Sequence, residues 1–494
     1  MNVQAALLRN TFWYGAVTVV GLVSGLLMSV VLARGLGPAL MGDYSYLLWA
    51  VRALTALSTL GWALATTRYA AGAYAAGDRG RAWGYVRLFL RRQVVTTTLV
   101  VAAVLPLVLL VVPNELRWPF VAVVLLLFPI TVETIFTHAV HGAQRYDLTA
   151  QTSTVKMTLQ LLGAVAVVWL GGGIFGLVLA LGLGIVVACL IQRRRAHDLF
   201  RGQTAAPPAE WTPDLRAYLV PLSAVVVLDA IVWDRSEVFF LRLFTSSEEI
   251  AFYSLAFGLA TKAMLVPEIA VGALLPAFAA LHGRGAPEEF GHVYRTAIRY
   301  VALVGAPIAA VGAALAPGII AWLYGDAYLP AAGLLGALAF VGLVSALRKV
   351  AWAALRAVGD RRCALTATWS AAILNVGLAA VLIPSLGTTG AVVANVAGQL
   401  TATVWVFVGM ARAHGSGFPT GELARIGGCA LVAMGGAWTV AGGSTDLGRL
   451  ALGAGVAVGI FVAGCVGTGV VGPREWTFLL ASTRRLAARA GVTG

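Results

Sequence analysis

Charge is scarce in this chain, and lysine is nearly absent. Only 11% of its 494 residues are Asp, Glu, Lys or Arg, against 60% hydrophobic, and the mean hydropathy is +0.87. A soluble globular domain carries roughly a quarter charged residues, so that class is excluded and a polytopic membrane protein remains. Lysine occurs only at Lys156, Lys262 and Lys349, preceded by Val155, Thr261 and Arg348. None completes a Gly-Lys-Ser/Thr phosphate loop, which excludes an ATP-driven exporter. Cysteine is also sparse. Cys189, Cys363, Cys429 and Cys465 lie in or at the end of apolar runs without paired or metal-type spacing, so they read as small core residues. Long polar segments are missing as well. The connection around Gly325-Asp326 is the longest outer one and is too short for a glycosyltransferase or ligase domain. No catalytic residue, cofactor or metal is therefore expected.

What the chain does have is apolar runs. Fourteen are long enough to cross about 30 Å of hydrocarbon at a rise of about 1.5 Å per residue. They lie near 11–33, 43–67, 93–112, 118–140, 148–170, 174–192, 216–241, 250–280, 294–317, 330–357, 363–383, 388–411, 423–441 and 449–471. The predicted fold is all-α, with about 14 transmembrane helices, and proline-containing runs such as the eighth are open to breaking. The first run is too long for a signal peptide and has no small-residue cleavage pattern before Arg34, so it reads as a retained span.

The net charge of +14 follows topology rather than nucleic-acid binding. With the N-terminus inside, inner loops and tails hold 25 of the 35 Lys and Arg, whereas outer loops hold only Arg34, Arg117, Arg242 and Arg449. By the positive-inside rule both termini are cytoplasmic, which for this class means a multi-pass protein of the cell inner (cytoplasmic) membrane. Six cations remain inside spans: Arg52, Lys156, Arg235, Lys262, Arg348 and Lys349.

The chain also repeats itself. Leu32–Leu54 lays without a gap on Leu241–Ala263 and matches Tyr44-Ser45 to Tyr253-Ser254. A second register pairs Gly142, Leu148-Thr149-Ala150 and Gly173 with Gly359, Leu365-Thr366-Ala367 and Gly390. Six spans precede the Arg193-Arg194-Arg195 cluster, six follow it, and two are left over. The expected domains are a six-helix lobe over 1–200, a cytoplasmic linker over 201–215, a second six-helix lobe over 216–413, two added helices within 420–472 and a basic cytoplasmic tail over 473–494. An even number of crossings per lobe implies an axis along the membrane normal, two facing lobes and a cleft that opens to either side by rocking.

Arg52 falls opposite Thr261 in this register, and Lys262 is the next residue. Each lobe therefore carries one cation roughly 13 to 18 Å from the outer end of its span. A guanidinium there costs about 2.5 kcal/mol or more, so a use for the charge is expected. Two such cations suit an anionic head group such as a diphosphate; a structural ion pair is the alternative for each, with Glu268 near Lys262 in sequence. Arg68, at the inner end of the second span, reads as an interfacial anchor that can also receive a head group. Lys349, beside Arg348, can either meet cargo or snorkel to the inner surface. Asp234, Arg235 and Glu237 form an ion-pair cluster or outer gate, and Asp229, deeper in the same run, is an ion- or proton-coupling candidate. Glu133 is a further coupling candidate, although His138 stands at a poor same-face spacing for a relay.

The segment Ala33–Ser45 (ARGLGPALMGDYS), its echo Phe244–Ala256 (FTSSEEIAFYSLA), the six-plus-six-plus-two spans and the basic mid-chain loop together resemble the oligosaccharide or polysaccharide flippases of the multidrug/oligosaccharidyl-lipid/polysaccharide exporter superfamily. Leu36-Gly37-Pro38 followed by Gly42 and Tyr44-Ser45 is the best local signature and fits a tight turn re-entering the membrane. The resemblance implies translocation of a polyprenyl-diphosphate-linked oligosaccharide from the inner to the outer leaflet. It also implies membrane lipids, and a polysaccharide polymerase or glycosyltransferases, as partners. Lipid II flippases of this superfamily carry arginines in the first span, whereas Thr11–Ala33 has no charged residue. An ion-coupled multidrug antiporter of the same superfamily is the rival expectation, for which acids such as Asp229 and Glu133 would line the path.

Overall fold

The computed structural model describes residues 3–200, 212–233, 235–272, 274–415 and 417–472, with side chains except at 3–9, 11, 12, 14, 225, 228–233, 270, 361, 413 and 414. In chain order the helices begin with α1 (Val3–Thr59), α2 (Trp62–Ala75), α3 (Arg79–Val111), α4 (Asn114–Gly142), α5 (Tyr146–Leu170) and α6 (Gly173–Leu199). There follow α7 (Pro213–Trp233), α8 (Glu237–Phe244), α9 (Ser247–Ala263), α10 (Leu265–Val271) and α11 (Leu274–Gly283). The remainder are α12 (Pro287–Ala314), α13 (Ala316–Tyr324), α14 (Ala331–Val358), α15 (Arg361–His414), α16 (Thr420–Ala441) and α17 (Leu447–Gly467). Apolar sequence in hydrocarbon leaves the backbone no partner but itself, so helices are the outcome. Eleven of the described helical segments are long and apolar enough to cross a membrane, and the protein is multi-pass.

Eleven is fewer than the fourteen apolar runs, for identifiable reasons. The segments Gly15–Thr59 (45 residues) and Arg362–Arg412 (51 residues) are each long enough for two crossings. α1 breaks at Gly37, where φ is 76° and ψ 171°, a conformation open to glycine, and Pro38 follows. This is the turn the signature predicts. α15 breaks likewise at Gly387. The seventh run, expected as one span over 216–241, divides into α7 and α8 because Arg235 takes φ 62° in a polar stretch. The eighth divides into α9, α10 and α11, the last two with Pro267 and Pro276 in their first turns, where a missing N–H is tolerated.

The chain forms two compact units. One comprises Met1–Ser254 with Asn375–Ala391, and the other Leu255–Leu374 with Val392–Gly494. In the first, Trp62, Tyr85, Phe89, Ile135 and Phe136 make one core, and Leu47, Phe120, Val124 and Leu127 another. In the second, Phe278, Phe290, Tyr294 and Ile298 pack with Val350, Val406 and Met410. There α12 meets α16 through Ala302, Ala306 and Ala310 against Ala430, Ala433 and Ala437. Small side chains let the backbones approach where lipid supplies no hydrophobic drive between helices. The starts of α3, α15 and α17 are set by Asp78, Asp360 and Asp446, whose carboxylates accept from the backbone N–H three residues on.

Candidate functional site

Within the first unit the polar side chains gather around two tyrosines that the repeat makes equivalent. Tyr44 on α1 is 9% exposed, and both Arg52 and Arg235 lie within electrostatic reach of its hydroxyl. Tyr253 on α9 is fully buried, with Glu237 and Arg235 both within electrostatic reach of its hydroxyl. Arg235 thus stands beside both. Arg52 itself is exposed on α1, whereas Arg235 is 8% and Glu237 0% exposed. The buried Glu237 carboxylate accepts from Asn375 Nδ2 at 2.6 Å, and Ser236 Oγ donates to Asn375 Oδ1 at 2.9 Å. A carboxylate in so dry a place needs such donors. Arg235 holds a left-handed backbone that costs a non-glycine residue about 1 kcal/mol or more, which this surrounding network maintains. Asp234 lies outside the described residues, as does the side chain of Asp229, whose backbone is in α7.

At the Gly37 end of the same unit the two copies of the signature touch. Asp43 Oδ1 accepts from Arg242 Nη1 at 2.9 Å and from Ser247 Oγ at 2.7 Å. The Arg242 guanidinium also lies 5.4 Å from the Tyr46 ring. Gly42 makes this possible, since a Cβ there would occupy the position of the Ser247 carbonyl.

Glu133 on α4 does not meet His138. Five residues on a helix place them on different faces. Lys156 on α5 instead donates to Glu133 Oε1 at 2.8 Å and Oε2 at 3.0 Å, while His138 Nδ1 pairs with Thr67 Oγ1 at 2.8 Å. Arg68 on α2 is exposed, with its guanidinium 4.2 Å from the Tyr218 ring and 5.8 Å from that of Tyr69.

In the second unit Glu268 is paired with Lys349: Nζ to Oε1 is 2.6 Å. The neighbouring Arg348 is 6% exposed and donates to Ser345 Oγ and Gln399 Oε1, each at 3.2 Å, so it does not snorkel. Lys262 is half-buried in the last turn of α9. Asp43, Ser247, Asn375 and Gln399 escape a reading that searches spans for charge. Amides and hydroxyls leave little trace in hydropathy, although Asn375 and Gln399, each inside a long apolar run, are signals a search for buried polar groups would find.

The family described as polysaccharide biosynthesis protein matches residues 7–282, which is more than half of the chain. A second, described as lipid II flippase MurJ, matches residues 251–449. The charge-free first span lies inside the former match and outside the latter. No curated protein matches the chain significantly. Among solved structures it is similar to the lipid II flippase MurJ in an inward closed conformation, with a TM-score of 0.71 and 11% identity over 92% of this chain and 97% of that one. It is also similar to a multidrug resistance MATE family transporter of the MOP superfamily in its inward-facing conformation, with a TM-score of 0.68 and 17% identity over 80% and 95%. The outward-facing conformation of such a transporter gives a TM-score of 0.59 at 17% identity, over 83% and 96%. At these identities the structures show a shared fold. Together with the match over residues 7–282, the all-helical multi-pass architecture shows that this chain belongs to the polysaccharide biosynthesis protein family.

Proposed function

We propose that the protein is a flippase that carries a polyprenyl-diphosphate-linked oligosaccharide from the inner to the outer leaflet of the cytoplasmic membrane by alternating access, for synthesis of a cell-surface polysaccharide or glycan. The observation that carries this reading is the pair of family matches, which together run from residue 7 to residue 449. The intramembrane cations agree with it. Arg52 is exposed in the last two turns or so of a long apolar helix, and Lys262 ends α9 half-buried. Each supplies a cation to the diphosphate of the carrier. Residues 1–200 and 216–413 act as the two repeats, 420–472 as added helices, and both termini are cytoplasmic. Arg68 receives the head group on entry; Glu133, Asp229, Asp234, Arg235 and Glu237 serve coupling or gating. A polymerase or glycosyltransferases supply and consume the cargo, and the protein itself makes no covalent change.

The likeness to MATE transporters supports a second reading, an ion-coupled multidrug antiporter. The experiment that separates them is reconstitution in liposomes with a fluorescent polyprenyl-diphosphate oligosaccharide in one leaflet. Protein-dependent movement to the other leaflet is expected. Ion-driven uptake of a cationic dye without lipid movement would establish the rival.

A further inference from the structure

One exposed face of α3 changes character along its length. The positions 87, 91, 95, 98 and 102 recur at helical spacing and carry Arg87, Arg91, Val95, Thr98 and Ala102, all exposed, with Val95 54% exposed. The opposite face, Val86, Phe89, Gln93, Thr97 and Val101, is buried. The helix begins at Arg79, well before the apolar run that starts near residue 93, so its first turns project beyond the hydrocarbon. The exposed stripe of small and apolar side chains is therefore continued along the same face by arginines that precede the apolar run.

Local chemistry supports the same location. From Tyr69 to Pro113 the sequence holds Arg79, Arg81, Arg87, Arg91 and Arg92 against a single acid, Asp78. That carboxylate is occupied as the cap of α3, accepting from Arg81 N at 2.8 Å. The guanidinium of Arg87 lies 5.7 Å from the Trp83 ring and that of Arg81 5.8 Å from the Tyr85 ring, and Trp83 stacks on Phe200 at 5.2 Å. Such an aromatic layer belongs to the membrane interface. At the end of α6, which Phe200 caps, Arg193 and Arg194 are exposed together with Asp198, which leaves the patch strongly cationic.

We infer that the Arg87–Arg91 stripe of α3 is a docking surface for anionic phospholipid of the surrounding leaflet. Phosphate head groups lie on the arginines while the chains of the same lipids lie along Val95 and Leu99. Because the stripe continues the lipid-facing side of the helix, its occupant comes from the bilayer.

The test is native mass spectrometry of the full-length protein in detergent with phosphatidylglycerol or phosphatidylcholine of identical chains. The wild type is expected to retain phosphatidylglycerol preferentially. R87Q/R91Q should lose about tenfold or more of that preference. R87K/R91K should keep most of it, since a point charge still attracts phosphate. Photo-crosslinking phosphatidylglycerol added to the wild type should label residues 81–99, a measurement that needs no variant. The proposal is overturned by an absent preference, by a preference unchanged in R87Q/R91Q, or by labelling confined to other helices. It is also overturned if inorganic pyrophosphate displaces the lipid from this stripe at equal concentration, which would make it a diphosphate site.

Discussion

Lys349 Nζ lies 2.6 Å from Glu268 Oε1, joining α14 to α10. The acid that stands near Lys262 in sequence thus pairs with a lysine on a helix far along the chain. Lys349 is 43% exposed and Glu268 13%, so the pair is screened on one side. Lys349→Met and Glu268→Gln should each lower stability by about 1 kcal/mol, and the double variant should lose less than the sum. Thermal unfolding in detergent reads this directly, and strict additivity would show that the contact contributes nothing.

The Lys156–Glu133 pair is drier, with side chains 24% and 12% exposed. Leaving one charge without the other inside the membrane should cost about 2–4 kcal/mol, so Glu133→Gln and Lys156→Met should each lower the melting temperature strongly. The double variant should recover most of that loss. If Glu133→Gln keeps its melting temperature while transport stops, the carboxylate is a coupling group rather than a structural one.

Arg52→Ala and Lys262→Ala should abolish or strongly reduce glycan export at near-normal abundance, because removing an intramembrane charge does not itself strain the fold. Arg52→Lys should retain part of it, since the attraction survives but the bidentate fork does not. Export scored beside immunoblot abundance distinguishes this from a structural pair, for which abundance falls first. Normal export in both Ala variants and in the double variant would remove these cations from the mechanism.

Gly42→Ala should be poorly tolerated, because its new Cβ would meet the Ser247 carbonyl. Relief requires the α1 and α9 ends to separate, which also pulls Asp43 from Arg242 and Ser247. A loss of about 2 kcal/mol or more is expected. Gly72→Ala, at a glycine with open space around it, is the control.

A diphosphate moving outward from a negative interior is favoured by about 2.3 kcal/mol per charge per 100 mV. Collapsing the potential in proteoliposomes with valinomycin and balanced potassium should slow flipping. An unchanged rate would point to another energy source.

The sequence by itself determined that this is an all-helical multi-pass protein, because apolar runs in hydrocarbon have only one way to satisfy their backbone. It determined the turn at Gly37 too, since Gly-Pro within a repeated signature leaves a helix little choice. The repeat also pointed to Tyr44 and Tyr253 as equivalents. What only the tertiary structure decided is how the charges are used. Glu133 met Lys156 and Glu268 met Lys349 because such pairs form between helices far apart in the chain, where a one-dimensional reading sees only neighbours. Glu237 found its donor in Asn375, 138 residues away. The break at Arg235 was likewise hidden, because a left-handed arginine is disfavoured locally and persists only where buried partners hold it.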